Sequence, residues 1–307
     1  MIVTGDAADY AALLDATSEP DVPFVVCTTR EEAVDAYDRH RILFGDPSLI
    51  AGLLPGMPTV EWVQSTWAGV THLLVGGRSD YMLTNVRGIF GPLMTEYVLA
   101  YMLANEIGIL QRVEHQRRRE WPNDVSGTLR GKRLGIMGTG SIGAHIAGAL
   151  HPFGMHVSGL SRSGSAVGGF DRVFRVDQLE SFLRDLDYLV CVLPHTAHTD
   201  RLLDADALAA LPDRAYLINV GRGNVLDHGA LAAALRDGRL SGAVLDVFEH
   251  EPLPPEDPLW TTPNLLVTGH VAAHSHPADI VPIFLRNYHR FVSGEPLEFV
   301  VDFARGY

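Results

Sequence analysis

Arg133-Leu-Gly-Ile-Met137, running straight into Gly138-Thr-Gly-Ser-Ile-Gly143, decides how this chain folds. The first five residues read as a strand, and 141–152 as the helix that follows it. In the turn between them, the run Gly138, Thr139, Gly140, Ser141, Ile142 and Gly143 sets three glycines to separate tasks. These are a tight turn, a close approach of backbone to a pyrophosphate, and close packing of helix on strand. The start of the helix then presents N–H groups and a positive dipole end to phosphate. A lone GxGxxG says little, but between a strand and a helix it marks a dinucleotide site.

On its C-terminal side the pattern repeats. Apolar runs at 155–160, 186–193, 215–220, 242–246 and 265–268 alternate with helical spacing such as that of 228–237. On its N-terminal side Ile2-Val3, Phe24-Val-Val-Cys27, Ile42-Leu-Phe44 and 60–64 read as strands, with helical spacing at 10–14 and 30–37. Such alternation specifies an α/β fold with parallel sheets. Residues 93–120 run almost without breakers and predict one long helix ending before Pro122, with a polar connection at 122–132. A last helix, 280–293, is expected to return to the first domain.

The chain has 307 residues, enough for two domains, and a 47% hydrophobic, 20% charged composition typical of a globular protein. Its net charge of −13 argues against a nucleic-acid or anionic-membrane partner. Arg117-Arg-Arg119 therefore reads as a solvated helix end. The two cysteines, Cys27 and Cys191, lie inside apolar runs and read as buried strand residues. With neither a signal peptide nor a membrane-length apolar run, a cytoplasmic location is expected.

Three frames late in the chain carry chemistry: Asn219-Val-Gly-Arg222-Gly223, Asp246-Val-Phe-Glu-His-Glu251-Pro252 and Thr268-Gly-His270-Val-Ala-Ala. Arg222 offers a planar fork for a carboxylate. His270 can donate or accept a proton near neutral pH, and Glu251 can orient it and favour its charged form. Together they suit a 2-keto or 2-hydroxy acid. Each has a plainer alternative, as a surface salt-bridge arginine, an exposed loop acid, or part of a metal cluster with His274 and His276. The last lacks a recognised zinc spacing, and no metal is expected. The strand at 155–160 ends in Ser161-Arg162-Ser163, where an NAD site would carry an acid. With an arginine and two hydroxyls instead, NADP(H) is the expected cofactor and NAD(H) the possible second.

With these residues assembled, the chain resembles the D-isomer-specific 2-hydroxyacid dehydrogenase family over nearly its whole length. The resemblance rests on Ser65-Thr-Trp67-Ala-Gly69-Val70, Gly138 to Gly143, Leu193-Pro-His-Thr196, Asn219 to Gly223, Asp246 to Pro252 and Gly269-His270-Val-Ala-Ala273. Ser161-Arg-Ser163 and Leu253-Pro-Pro-Glu-Asp-Pro-Leu-Trp260 resemble the NADPH-dependent glyoxylate/hydroxypyruvate reductases within it. The resemblance implies two Rossmann- or flavodoxin-like domains, 1–98 with 282–307 for substrate and 99–281 for dinucleotide, with the active site in the cleft between them. It implies a homodimer built partly through the long helix. It sets Leu193, Pro194, Thr196, Thr199, Val220, Gly221 and Asp246 along the cofactor, and Trp67, Ala68, Gly69 and Val70 at the substrate. Trp67 departs from the family's usual residue there and leaves the pocket size open; selectivity is expected to lie in that loop and in side chains near Arg78, Leu93 and Trp260. His195 is expected near the cofactor or merely shaping its loop. The implied activity is NAD(P)H-dependent reduction of a 2-keto acid to the D-2-hydroxy acid. A dinucleotide-sensing binding protein or corepressor-like member without turnover is the alternative, and a short phosphoglycerate dehydrogenase a less favoured one.

Overall fold

Among the described residues every strand-to-strand ladder is parallel, with an isolated antiparallel bridge between Thr84 and Val300, and the strands divide between two sheets. The computed structural model describes residues 1–17, 22–75, 77–304 and 306. The chain forms two compact units, Met1–Ile89 with Ser275–Tyr307, and Phe90–His274. The expected domain boundaries at 98/99 and 281/282 fall inside the helices Gly91–Ile107 and Pro277–Ser293, whereas the unit boundaries precede both helices.

The first unit holds strands β1 (Ile2–Val3), β2 (Val26–Cys27), β3 (Ile42–Gly45), β4 (Trp62–Ser65) and β5 (Met82–Thr84) in the order β2-β1-β3-β4-β5. That is the flavodoxin-like order. Its sheet is covered by the helix Pro277–Ser293, whose Phe284 stacks on Phe44 at 4.3 Å and on Trp62 at 5.5 Å. Burying aromatic rings of this kind contributes about 2–3 kcal/mol each. The indole N–H of Trp62, fully buried, donates to Thr84 Oγ1 at 2.8 Å, so the ring's one polar group is satisfied.

The second unit holds β6 (Arg133–Met137), β7 (His156–Ser161), β8 (Arg172–Arg175), β9 (Tyr188–Cys191), β10 (Tyr216–Asn219), β11 (Gly242–Leu245) and β12 (Leu265–Val267), ordered β12-β11-β10-β9-β6-β7-β8. The chain reverses direction across the sheet between β6 and β9, the switch point at which such folds bind ligands. Helices on both faces explain why β9, β10 and β11 are buried at every position and read as unbroken apolar runs. Cys191 lies inside β9, and burial pushes its thiol up to about 12. It is a packing residue without thiolate reactivity. Cys27 is buried in β2 and its thiol is also raised by burial.

One expected element is different. The run 93–120 is two helices, Gly91–Ile107 and Ile109–Arg118, bent by 51° at Gly108. Gly108 takes φ 67°, ψ 42°, a left-handed conformation that glycine adopts without Cβ penalty and that commonly ends a helix. Among the described residues no single helix is long and apolar enough to cross a membrane.

Candidate active site

The motif residues are spread from Ser65 to Ala273 in the chain, but those of the second unit share one edge of its sheet. Gly138 follows β6, Ser161 ends β7, Leu193 lies two residues past β9, Val220 follows β10, Asp246 follows β11 and Thr268 follows β12. In a parallel sheet these are all carboxyl ends, where the strands stop and loops can face a ligand.

The Gly138–Gly143 turn has the local features a pyrophosphate needs. Gly138 has φ 108°, a conformation closed to other residues at low cost. A Cβ on Gly143 would lie 2.0 Å from the Gly138 carbonyl oxygen, so only glycine lets helix and turn approach this closely. A Cβ on Gly140 would meet nothing within 4 Å, so that face of the turn is open. The helix Ser141–Leu150 has no side chain capping its N-terminus, which leaves its first N–H groups and dipole directed outward. A Cβ on Gly221 would sit 2.6 Å from the Leu193 carbonyl oxygen, so the loops after β9 and β10 are pressed together. The residues present therefore fit a dinucleotide.

At the end of β7, Ser161 Oγ accepts from Gly164 N at 3.1 Å and Ser163 Oγ from Ser165 N at 3.2 Å. The hydroxyls shape the turn and keep their protons for a further acceptor. Arg162 is exposed beside them, and no acid occurs from 161 to 165. The structure adds a cation that sequence reading missed. Arg175 closes β8 as the register partner of Ser161, and its side chain packs over Gly164. The signal was weak, because β8 is a short strand, Arg-Val-Phe-Arg, with charge at both ends.

Several other residues expected along the cofactor hydrogen-bond within the protein. Thr199 Oγ1 donates to the Pro194 carbonyl at 2.7 Å and accepts from Thr196 N at 2.8 Å, so both threonines build the 194–199 loop. His195 Nε2 lies 3.1 Å from Asp200 Oδ1 across the same loop. Val220 is buried at the end of β10. Asp246 is 1% exposed, and its carboxylate accepts from Thr268 Oγ1 at 2.5 Å, Val271 N at 2.9 Å and Ala272 N at 2.9 Å.

Glu251 and His270 meet directly, with His270 Nδ1 2.7 Å from Glu251 Oε2. Glu251 Oε1 accepts from Phe248 N at 2.9 Å. Burial raises the Glu251 pKa, but the hydrogen bonds from His270 and Phe248 and the charges of His270 and Arg222 outweigh it and hold the carboxyl below its ordinary value. Glu251 is thus an ionised acceptor, which makes Nδ1 the donor in this pair and leaves Nε2 as the other ring nitrogen. Nε2 has no hydrogen bond among the described residues, and half of the His270 side chain is exposed. The residue sits at φ 56°, a left-handed conformation that costs a non-glycine residue about 1 kcal/mol or more.

Arg222 is half-buried at the end of β10, and its Nη1 donates to the Gly221 carbonyl at 2.6 Å. Burial lowers its pKa, and the neighbouring Glu251 charge opposes that shift, which places the two side chains in one electrostatic environment. A guanidinium keeps its charge under any such shift. The Asn219 side chain fixes this turn by accepting from Gly221 N at 3.1 Å and donating to the Arg222 carbonyl at 3.2 Å. Arg222, Glu251 and His270 therefore set a guanidinium near a hydrogen-bonded carboxylate–imidazole pair. Among the described residues no group of three or more His, Cys, Asp or Glu side chains is placed to hold a metal.

In the first unit, the loop after β4 carries Trp67, Ala68, Gly69 and Val70. The Ala68 carbonyl accepts from Asn85 Nδ2 at 2.9 Å, and Ser65 Oγ bonds the Trp67 backbone at 3.0 Å. The N–H groups of Ala68, Gly69 and Val70 make no hydrogen bond among the described residues. Trp67 is 38% exposed and meets His72 edge-on.

Comparison with known proteins bears on the same residues. The family model for the D-isomer specific 2-hydroxyacid dehydrogenase NAD binding domain matches 99–272. Glyoxylate/hydroxypyruvate reductase A of Salmonella newport is 40% identical over 174 residues, 57% of this chain, and the match spans 56% of that relative's length. Among solved structures, a D-isomer specific 2-hydroxyacid dehydrogenase family protein from Aeromonas salmonicida superposes with a TM-score of 0.94 at 44% identity, covering 98% of both chains. An NADPH-dependent glyoxylate/hydroxypyruvate reductase from Sinorhizobium meliloti, in complex with NADP and sulfate, gives 0.88 at 29% identity, covering 100% of this chain and 99% of its own. With a family model over more than half of its length and a relative of 44% identity over nearly all of it, the chain belongs to the D-isomer specific 2-hydroxyacid dehydrogenase family.

Proposed function

We propose that this protein reduces a 2-keto acid to the D-2-hydroxy acid, preferring NADPH to NADH, with glyoxylate or hydroxypyruvate as the first substrates to test. The observation that carries the reading is the Glu251–His270 pair at 2.7 Å, with Nε2 left for a reacting oxygen and Arg222 sharing its field. Arg222 binds the substrate carboxylate and polarises the carbonyl as charge develops on its oxygen. His270 gives its Nε2 proton to that oxygen. Glu251 holds Nδ1–H and stabilises the imidazolium before the transfer. The reduced nicotinamide, when bound, supplies the hydride. The Gly138–Gly143 turn and the following helix would hold its pyrophosphate. Ser161, Arg162, Ser163 and Arg175 would hold the 2′-phosphate. The unbonded N–H groups of 68–70 are proposed as a carboxylate-binding turn.

The subsite at the end of β7 supports NADPH, since Arg162 and two hydroxyls stand where an NAD site would carry an acid, with Arg175, ion-paired to Asp177 at 3.1 Å, beside them. Ile109, Leu110 and Val113, exposed on the helix Ile109–Arg118, support a homodimer through that helix. The test is consumption of NADPH and NADH absorbance with a panel of 2-keto acids. Turnover with a higher kcat/KM for NADPH is expected. Tight dinucleotide binding with no turnover on any 2-keto acid would replace this reading with that of a sensor.

A further inference from the structure

Tyr97 lies on the helix Gly91–Ile107, 171 residues from Thr268, and their hydroxyl oxygens are 2.6 Å apart. Thr268 Oγ1 is in turn 2.5 Å from Asp246 Oδ1. Asp246 then grips the rest of the turn: Val271 N and Ala272 N donate to its carboxylate, and His270 N donates to its carbonyl at 2.8 Å. One buried residue thus binds positions 268, 270, 271 and 272, the whole turn in which His270 takes its left-handed φ. A strained backbone of this kind persists only where its surroundings over-determine it.

The direction of the chain follows from proton counting. A carboxylate only accepts, so the single hydroxyl proton of Thr268 is committed to Asp246. Thr268 must then accept from Tyr97, and Tyr97 is the donor that starts the relay. Burial raises the Tyr97 pKa above its ordinary value, which keeps that proton in place at neutral pH. The Tyr97 ring also packs on Tyr101 at 4.7 Å. The hydroxyl, not the ring, is what reaches the turn.

We propose that Tyr97 and Thr268 are positioning residues for His270, holding the 268–272 turn through Asp246 so that the imidazole meets Glu251. The proposal rests on His270 being the acid/base group, so wild-type turnover is measured first, and a second readout is independent of turnover. Tyr97→Phe keeps the ring and removes only the hydroxyl. Thr268→Val keeps the shape and removes the relay, while Thr268→Ser keeps the relay. Expected are a kcat about tenfold lower in Tyr97→Phe and Thr268→Val with the 2-keto acid KM within about twofold, and near wild-type kcat in Thr268→Ser. The double variant Tyr97→Phe/Thr268→Val should be no slower than Thr268→Val alone, because one chain is cut twice. In the unliganded protein, amide exchange at Val271 and Ala272 should accelerate in Tyr97→Phe and Thr268→Val and not in Thr268→Ser. Unchanged exchange and unchanged kcat overturn the proposal, as does a loss that Thr268→Ser shares. Should the wild type turn over no 2-keto acid, the functional reading falls while the exchange result still decides whether the turn is braced.

Discussion

Gly223→Ala changes one hydrogen to a methyl where the chain passes backbone against backbone beside Arg222. A Cβ there would lie 2.0 Å from the Phe248 carbonyl carbon and 2.4 Å from both Glu249 N and Phe248 Cα. Every one of these atoms is backbone, so no side chain can swing aside. To regain ordinary contact the two segments must part by about 1.4 Å. One segment carries Arg222, and the other carries the Phe248 N–H that holds Glu251 Oε1 at 2.9 Å. Overpacking of this size costs about 1–3 kcal/mol of stability. A displacement near 1 Å at a reacting site costs about 100-fold in rate. We expect Gly223→Ala to fold with a lower Tm, to keep its NADPH affinity, and to lose about 100-fold in kcat/KM for the 2-keto acid. Thermal melting, NADPH titration by fluorescence and steady-state kinetics measure the three separately. A variant within about threefold of wild-type kcat/KM would show that Arg222 and Glu251 need not be held at fixed separation, and would refute the reasoning.

His228 Nε2 is buried without a hydrogen bond among the described residues, and burial lowers its pKa from the ordinary 6.5 despite the nearby Glu249, Asp257 and Asp227. Below pH 6.5 the unfolded chain takes up this proton more readily than the folded one, so stability falls as pH drops toward the lowered folded value. The Tm of His228→Gln should decline less than that of wild type over that window, and parallel declines would count against it. Glu251 has the same sign in a more acid window: its pairing is complete above its ordinary value of 4.5 and is lost as pH falls through its lower folded value. Glu251→Gln should remove that acid dependence of stability and lower kcat at neutral pH, and an unchanged kcat would exclude its role. Arg162→Ala and Arg175→Ala should each raise the KM for NADPH about tenfold at low salt and leave that for NADH within about twofold, and equal effects on both would move the 2′-phosphate elsewhere. Leu110→Asp should shift the sedimentation coefficient from dimer to monomer, and a monomeric wild type would end that reading.

What was legible in the sequence is what the backbone imposes locally. Gly138 and Gly143 are glycine because a turn and a close approach demand it, so the strand–turn–helix unit could be read without the rest of the fold. The α/β class followed from apolar runs buried on both faces, such as Tyr188-Leu-Val-Cys191. The bend at Gly108 was hidden because good helix formers flank it on both sides and one glycine rarely decides a helix. The strand holding Arg175 was hidden by its charged ends. The Tyr97–Thr268 contact leaves no local trace at all, since each residue is ordinary in its own segment and only packing joins them. The pairing of Glu251 with His270 was expected, and the structure adds the Phe248 N–H that completes it.

The order of the larger sheet has a consequence for how such a protein can change over evolution. Arg222, Glu251 and His270 follow β10, β11 and β12, three neighbours at one side, while Ser161 and Arg175 end β7 and β8 at the other. Between β7 and β10 lie three strand spacings, about 14 Å at roughly 4.8 Å each. On the proposed reading, a mutation that exchanges one reductant for another is therefore made well away from the groups proposed to move the proton. Two traits sit at opposite margins of one rigid plate, and selection can alter either while leaving the other in place.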